Sequence, residues 1–409
     1  MRNKARRVHD TLTAERQPVD GWLLFCALAI LCIGWVMVTS ASSEISSERF
    51  DGNAFYYSMR HGIFIVIGLV AAICTLRVPM SAWQQRSFAM LMLGFVLLVV
   101  VLVVGREING AKRWIPLPLV GGVQASEIAK LCLMIWLAGY LDRRLDKVRA
   151  SVVNGLILPC VPLLLMIVLL ALEPDFGSIV VMGGAVMGML LMAGVAWWGF
   201  IVLLGLAGGG GWLLAIAEPY RWERLTTYTD PWANMYDSGY QLTQALIAFG
   251  RGHLSGMGLG NSVQKLFYLP EAHTDFVFAV LAEELGLIGA TAVVALFGLL
   301  IYRAFKIGRR AELAGLPFSA YLGYGIALVL GAQAFINIGV ASGLLPTKGL
   351  TLPLMSYGGS SLIVSCVQIA ILLRIDAETR KLTRTPTGNA AAPRRKAKKP
   401  TETPQGAQA

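Results

Sequence analysis

The stretch from Tyr268 to Gly286, YLPEAHTDFVFAVLAEELG, gathers reactive side chains where a polar segment turns into an apolar run. Glu271, His273, Thr274 and Asp275 precede the run, and Glu283 and Glu284 lie inside it. Carboxylates at or within a lipid-embedded helix are costly, so each marks a functional site by default. Asp275 falls at the junction, where its carboxylate can face water and substrate while the next turns enter the bilayer. Thr274 or Asp275 also suits a helix N-cap. Glu283 and Glu284 fall about 12–13 Å further along a helix and aim at different faces, which ties them to bundle partners rather than to the reacting atom of Asp275.

Other polar motifs frame this one. NGAKRWIPL sets Lys112, Arg113 and Trp114 side by side, just before QASEIAK opens an apolar segment. Glu127 and Lys130 in the latter are spaced i,i+3 and can neutralise each other on one helix face, as a site or as a structural pair. EPDFGS carries Glu173 and Asp175, with Pro174 at a helix end and Asp175 placed to cap the next helix. GLLPTKGLTLPLMSYGGSS is rich in Pro and Gly and reads as a re-entrant, irregular segment, with Lys348 inside it. The long loop 218–274 brings Arg221, Trp222, Tyr228 and Trp232, a short amphipathic helix marked by Leu242, Leu246 and Phe249, and the glycine-rich GMGLGNS. Those glycines suit tight turns or backbone amides cradling a diphosphate. One carboxylate amid several cations suits transfer from an activated sugar. The base deprotonates an acceptor hydroxyl while cations stabilise a diphosphate leaving group. A metal site lacks clustered His ligands, and Ser-His-Asp catalysis lacks a positioned serine motif.

The elements that must carry these groups follow from composition. Of 409 residues 56% are hydrophobic and 14% charged, too apolar for a soluble domain. The pattern predicts an all-α polytopic membrane protein of about ten spanning helices near 20–41, 61–77, 83–105, 124–141, 153–171, 177–193, 195–217, 275–302, 317–342 and 358–375. Basic residues crowd the tails and alternate loops, which places both termini in the cytoplasm and loop 218–274, between spans seven and eight, outside. The net charge of +11 reflects this topology, and no nucleic-acid module is visible. Residues 1–19 form a cytoplasmic tail without a cleavable signal peptide, 20–377 one membrane domain, and 378–409 a disordered basic cytoplasmic tail. The six cysteines fall in predicted spans without CxxC spacing and read as packing residues.

In this order, NGAKRWI, QASEIAK, EPDFGS, YLPEAHTDFVFAVLAEELG and LPTKGLTLPLMSYGGSS resemble the SEDS family, the shape, elongation, division and sporulation polymerases of bacterial peptidoglycan. The resemblance covers roughly residues 20–380, and EPDFG and PTKGLTLP are closer to its division member than to its elongation member. Ala125 departs from the usual proline before Ser-Glu. The resemblance implies a septal glycosyltransferase of the bacterial inner membrane that polymerises lipid II. Asp275 would be general base toward the acceptor 4-hydroxyl, and undecaprenyl diphosphate would leave with inversion. It makes Lys112, Arg113, Trp114, Glu127, Lys130, Arg221 and Lys348 candidates for substrate binding, Glu127 and Lys130 by shaping a central cavity. It also implies a class B penicillin-binding protein and other division-machinery membrane proteins as partners, with no resident cofactor beyond an optional divalent cation. The alternatives are a lipid II flippase, an elongation-type polymerase, and a scaffold that needs no Asp275.

Overall fold

The computed structural model describes residues 19–108, 111–116, 122–195, 198–199, 201–202, 204–205, 208–210, 228–346 and 349–384. Its helices are α1 (Gly21–Arg49), α2 (Tyr56–Arg77), α3 (Met80–Gln85), α4 (Ser87–Val104), α5 (Ala125–Ala150), α6 (Leu158–Leu172, entered through a π-turn at Val153–Ile157), α7 (Phe176–Met192), α8 (Tyr240–Gly252), α9 (Val277–Leu313), α10 (Pro317–Ala341) and α11 (Gly359–Arg384). Seven of the described helices are long and apolar enough to cross a membrane, and α7 is a shorter apolar helix. The expected span 195–217 lies largely outside the described residues, as does the start of loop 218–274; every other expected segment coincides with a helix.

The bundle is built around α5. From Ala125 to Leu141 every residue but Ile128 is buried, because α4, α10, α7 and α11 pack around it. That enclosure is why this helix can carry charge along its middle: its polar groups meet protein, not lipid. α9 packs on α10 and α1, and α2 packs on α11. Lipid tails are as apolar as leucine, so close packing rather than water exclusion holds such helices together.

Three features refine the expected layout. First, α9 is not one straight span. An unbroken helix over its 37 residues would run about 55 Å, well beyond a bilayer core of about 30 Å. It breaks at Gly286, whose φ of 67° and ψ of −168° suit only glycine. The carbonyls of Glu283 and Glu284, freed at the break, accept from the amides of Met257 and Gly258 at 2.9 and 3.0 Å, so the glycine-rich loop after α8 is stitched to the helix. Those glycines therefore serve close backbone approach and turns rather than a phosphate cradle. Second, the segment after α10 has no regular structure yet enters the bundle. Leu350, Leu352, Leu354 and Met355 are buried, and a Cβ on Gly34 of α1 would stand 2.7 Å from the Met355 Cα. Such backbone is tolerated at this depth because protein surrounds it. Third, α11 continues to Arg384, past the expected boundary at 377. The i,i+4 pairs Arg374–Glu378 and Asp376–Arg380, both at 2.7 Å, carry the helix on.

The end of the bundle that bears both tails is closed by ions. Asp20 caps α1 by accepting from Leu23 N at 3.1 Å and pairs with Arg303 of α9. Arg310 reaches Asp20 at 3.5 Å and Asp376 at 3.2 Å, and Arg380 joins both carboxylates. Burial alone would raise the Asp20 carboxyl, but the hydrogen bonds and charge of Arg303 outweigh it and hold it below the usual range. The six cysteines are all free.

Gly256 tests the stitch at the break in α9. Its φ is +80°, and an added Cβ would stand 2.1 Å from the Glu284 carbonyl oxygen. Gly256→Ala costs about 1–2 kcal/mol from the backbone alone, before the clash. The expected result is a lower melting temperature in detergent and faster proteolysis within 253–265; unchanged melting and cleavage would refute the stitch.

Candidate functional site

Asp275 lies in the turn that leads into α9, and the structure frees it from the capping role. Phe276 is the N-cap, without a side-chain bond, and the Thr274 hydroxyl turns to Glu271, donating to its backbone O at 3.1 Å and its Oε2 at 2.7 Å. The Asp275 side chain is half-buried, and among the described residues no group donates a hydrogen bond to its carboxylate. Its pKa is pushed up to about 7, by burial first, then by the negative charges of Glu271 and Asp175, against the pull of Arg113. At neutral pH such a group holds comparable amounts of base and acid.

Its backbone is fixed from two directions and its carboxylate is walled from a third. His273 is buried with its ring against Tyr57 and Tyr357, at centroid distances of 4.8 and 5.5 Å, and its carbonyl accepts from Tyr357 N at 3.0 Å. Burial, outweighing the nearby Glu271, holds the His273 imidazole below its usual pKa, so it is neutral. Asn337 of α10 donates to the Asp275 carbonyl. Gly349 of the re-entrant segment stands so close that a Cβ on it would lie 3.2 Å from Asp275 Oδ2.

Arg113 and its neighbours sit on an element absent from the sequence expectation of an all-α chain. Strands β1 (Arg106–Ile108), β2 (Ala111–Ile115) and β3 (Val123–Gln124) form a small antiparallel sheet in the order β1-β2-β3. Ile108 pairs with Ala111 and Trp114 with Gln124. The signal was present in the sequence, since Asn-Gly between two short β-prone runs is a strong hairpin cue. β2 aims half-buried Arg113 inward. Its Nε donates to the Glu173 carbonyl at 3.2 Å and its Nη2 to the Pro174 carbonyl. No described carboxylate lies in an ion pair with it, and its charge is felt at both Glu173 and Asp275. Lys112 is exposed opposite Glu107, and Trp114 is half-buried between Arg106 and Gln124 in the sheet.

Asp175 caps α7 as expected, accepting from Ser178 N at 3.2 Å. It does more than cap: Ser126 Oγ, Ser178 Oγ and Gln124 Nε2 donate to its Oδ2 at 2.8, 2.9 and 3.3 Å. Glu173 is the opposite case, fully buried, and among the described residues both of its carboxyl oxygens lack partners. Burial first and Asp175 second push its pKa up to about 8, with Arg113 opposing, so it is largely protonated at neutral pH. Glu127 and Lys130 meet at 2.8 Å, as their spacing predicts, and Gln333 of α10 donates to both Glu127 oxygens at 3.3 and 3.4 Å. Ser126, Ser178, Gln333 and Asn337 were missed by sequence reasoning, although polar residues inside apolar segments are the signal that marks them.

Glu283 finds its partners in the outer loop, and Glu284 finds its own in that loop and in α1. Ser262 Oγ and the amides of Val263 and Gln264 donate to Glu283, and Arg251 pairs with it at 3.1 Å. Glu284 accepts from Ser40 Oγ at 2.6 Å and from Lys265 at 3.2 Å. Both are therefore anchors for the loop. Arg221 and Lys348 lie outside the described residues. Among the described residues no group of three or more His, Cys, Asp or Glu side chains can hold a metal ion, and Asp175 already spends its oxygens on hydroxyls and an amide. The described residues thus do not fit a preformed divalent-cation site.

Comparison with known proteins adds to this geometry. A family model for FtsW, RodA and SpoVE, described as "Cell cycle protein", matches residues 21–381. The chain is 58% identical over 383 residues to "Probable peptidoglycan glycosyltransferase FtsW" of Halomonas elongata, covering 93% of this chain and 96% of that protein. It is 51% identical over 371 residues to the protein of the same name from Pseudomonas fluorescens, covering 90% of each. Among solved structures, one reported as "Structural coordination of polymerization and crosslinking by a peptidoglycan synthase complex" superposes with a TM-score of 0.71 at 30% identity, over 88% of this chain and 98% of that one. The rod shape determining protein RodA of Thermus thermophilus gives 0.64 at 28% identity, over 88% and 96%.

The central ion pair gives a clean test of the site's frame. Glu127→Gln or Lys130→Met alone leaves one buried charge unpaired and costs about 3–5 kcal/mol. The double variant removes both charges and is expected to regain most of that stability in thermal unfolding. Additive losses in the double variant would contradict a paired, mutually neutralising role.

Proposed function

Because the chain belongs to the FtsW/RodA/SpoVE family, we propose that it is a peptidoglycan glycosyltransferase that polymerises lipid II in septal wall synthesis, with Asp275 as general base. The observation that carries the assignment is the half-buried Asp275 carboxylate with a pKa near 7 and no described hydrogen-bond donor. A base works best when its pKa lies near the operating pH and its lone pairs are free for the substrate proton.

In this reading the acceptor GlcNAc 4-hydroxyl donates to an Asp275 oxygen as its own oxygen attacks the anomeric carbon of the donor MurNAc. The proton passes to Asp275. The bond from that carbon to the diphosphate breaks on the opposite face, the centre inverts, and undecaprenyl diphosphate leaves with the electron pair. Negative charge grows on the diphosphate, and fixed cations stabilise it without reorganising. Arg113 suits that role because two backbone carbonyls orient it and no described carboxylate quenches it. Lys112 and Trp114 on the same strand are further candidates for substrate contact. So are Arg221 and Lys348 by sequence position, Lys348 adjoining the Gly349 that faces Asp275. Asp275 then returns its proton to water.

Glu127 and Lys130 support a framing role rather than a transport route: they neutralise each other and are closed off by packing, with exposures of 4% and 0%. The domain from 20 to 377 would hold the whole catalytic apparatus between two cytoplasmic tails. The chain is an integral membrane protein by its apolar helices and family; the bacterial inner membrane at the septum follows from the proposed activity. Its partners would be a class B penicillin-binding protein, docking on the loop 218–274 and nearby helices, and other division-machinery proteins.

The test is lipid II polymerisation by the chain co-purified with its penicillin-binding partner. Asp275→Asn is expected to reduce the rate by about a hundredfold or more while melting and complex formation hold. Near-normal polymerisation by that variant would remove Asp275 as base.

A further inference from the structure

Resting on the reading of Asp275 as base, we infer that Asn337 is a positioning residue that fixes the Asp275 carboxylate against the re-entrant segment. Asn337 lies in α10, inside an apolar span, and is 2% exposed. Its Nδ2 donates to two carbonyls far apart in sequence, Asp275 O at 2.8 Å and Leu350 O at 2.5 Å. Neither residue lies in a helix or strand, so neither is held by a regular ladder. The same amide therefore sets the separation of the two segments.

That separation matters because of the neighbour of Leu350. Gly349 presents its Cα toward the base, with only enough room that a Cβ would stand 3.2 Å from Asp275 Oδ2. Asn337 thus holds both the aspartate and the wall it rests against. The carbonyl oxygens of Asp275 and Leu350 repel one another unless a donor stands between them. Among the described residues the Oδ1 of Asn337 is itself buried without a partner. A side chain kept only for packing would not carry that cost, so the donor end accounts for the residue. One turn earlier on the same face, Gln333 holds Glu127. This face of α10 registers the base, the re-entrant segment and the central ion pair together.

General-base catalysis needs the carboxylate oxygen within about 2.6–3.2 Å of the proton it takes. A misplacement of about 1 Å costs about a hundredfold in rate. The test measures steady-state lipid II polymerisation by the complex with its penicillin-binding partner, for Asn337→Ala, Asn337→Asp and Gly349→Ala beside Asp275→Asn. Asn337→Asp keeps the shape but sets an acceptor against two carbonyls; Gly349→Ala crowds the carboxylate from the other side. Both Asn337 variants are expected to lower kcat by about a hundredfold, and Gly349→Ala, which displaces the carboxylate less, by a smaller factor, while KM stays within about twofold; Asn337→Asp should be at least as impaired as Asn337→Ala. Near-normal kcat in Asn337→Ala, with Asp275→Asn inactive, overturns the clamp and leaves the base assignment standing. A loss carried by KM alone also overturns it. Should the Asn337 variants fail to fold, Gly349→Ala decides, and full kcat there refutes the close wall. Activity in Asp275→Asn overturns the base assignment itself and the purpose of the clamp with it.

Discussion

A catalytic carboxylate that must keep its lone pairs open for a substrate proton cannot be held by donors to those lone pairs. It has to be held through its backbone and through the charge around it. Asp275 shows this constraint: no described donor touches its carboxylate, yet the His273 ring is packed between two tyrosines, and Asn337 and Gly349 meet it from the other side. Much of the outer half of the fold answers to that need. The break at Gly286 lets the short outer part of α9 lean on the loop 251–265, and Glu283 and Glu284 spend their carboxylates on anchoring that loop. Asp175 differs only in its environment: three side-chain donors and an amide consume its oxygens, so it acts as frame and as a negative charge on Asp275.

The two ends of the bundle are built on opposite electrostatic terms. At the end bearing both tails, Asp20 and Asp376 meet Arg303, Arg310 and Arg380 in mutual compensation. At the outer end, beyond the pairs that anchor the loop, polar groups are left open: among the described residues Arg113 has only carbonyl partners and the Glu173 carboxyl has none. Unpaired polar groups in a low-dielectric setting are expensive and signal use. Between the ends, α5 carries its ion pair inside a sheath of helices, which is affordable there because protein rather than lipid forms the surround.

Much of this was legible in the sequence, and the failures have physical causes. Hydropathy located the apolar helices among the described residues because lipid imposes one strong rule on backbone and side chains alike. The Glu127–Lys130 pair followed from i,i+3 spacing, and the re-entrant segment from prolines and glycines that no helix would accept. The break in α9 was hidden because a lone glycine within an apolar run is compatible with a continuous helix; only the docking of Met257 and Gly258 makes the break favourable. Asn337 and the Ser126–Ser178–Asp175 cluster were hidden for another reason. The contacts that matter, Asn337 to Asp275 and Leu350 and Ser126 to Asp175 and Ser178, join segments far apart in the chain, so no spacing encodes them. The sheet bearing Arg113 was readable from Asn109-Gly110 but is too short to show in hydropathy.

The most direct test of the central claim is the pH dependence of lipid II polymerisation by the intact complex, measured from about pH 5 to about pH 9 on kcat/KM. Asp275 accepts a proton in its ionised form, and its pKa is pushed up to about 7. The rate should therefore rise about tenfold per pH unit below that value and level off above it. Because Glu173 titrates at about 8 nearby, the profile is repeated with Glu173→Gln, in which the bend near 7 should remain. A profile that is flat across this range, or a bend that vanishes in Glu173→Gln, would contradict the account.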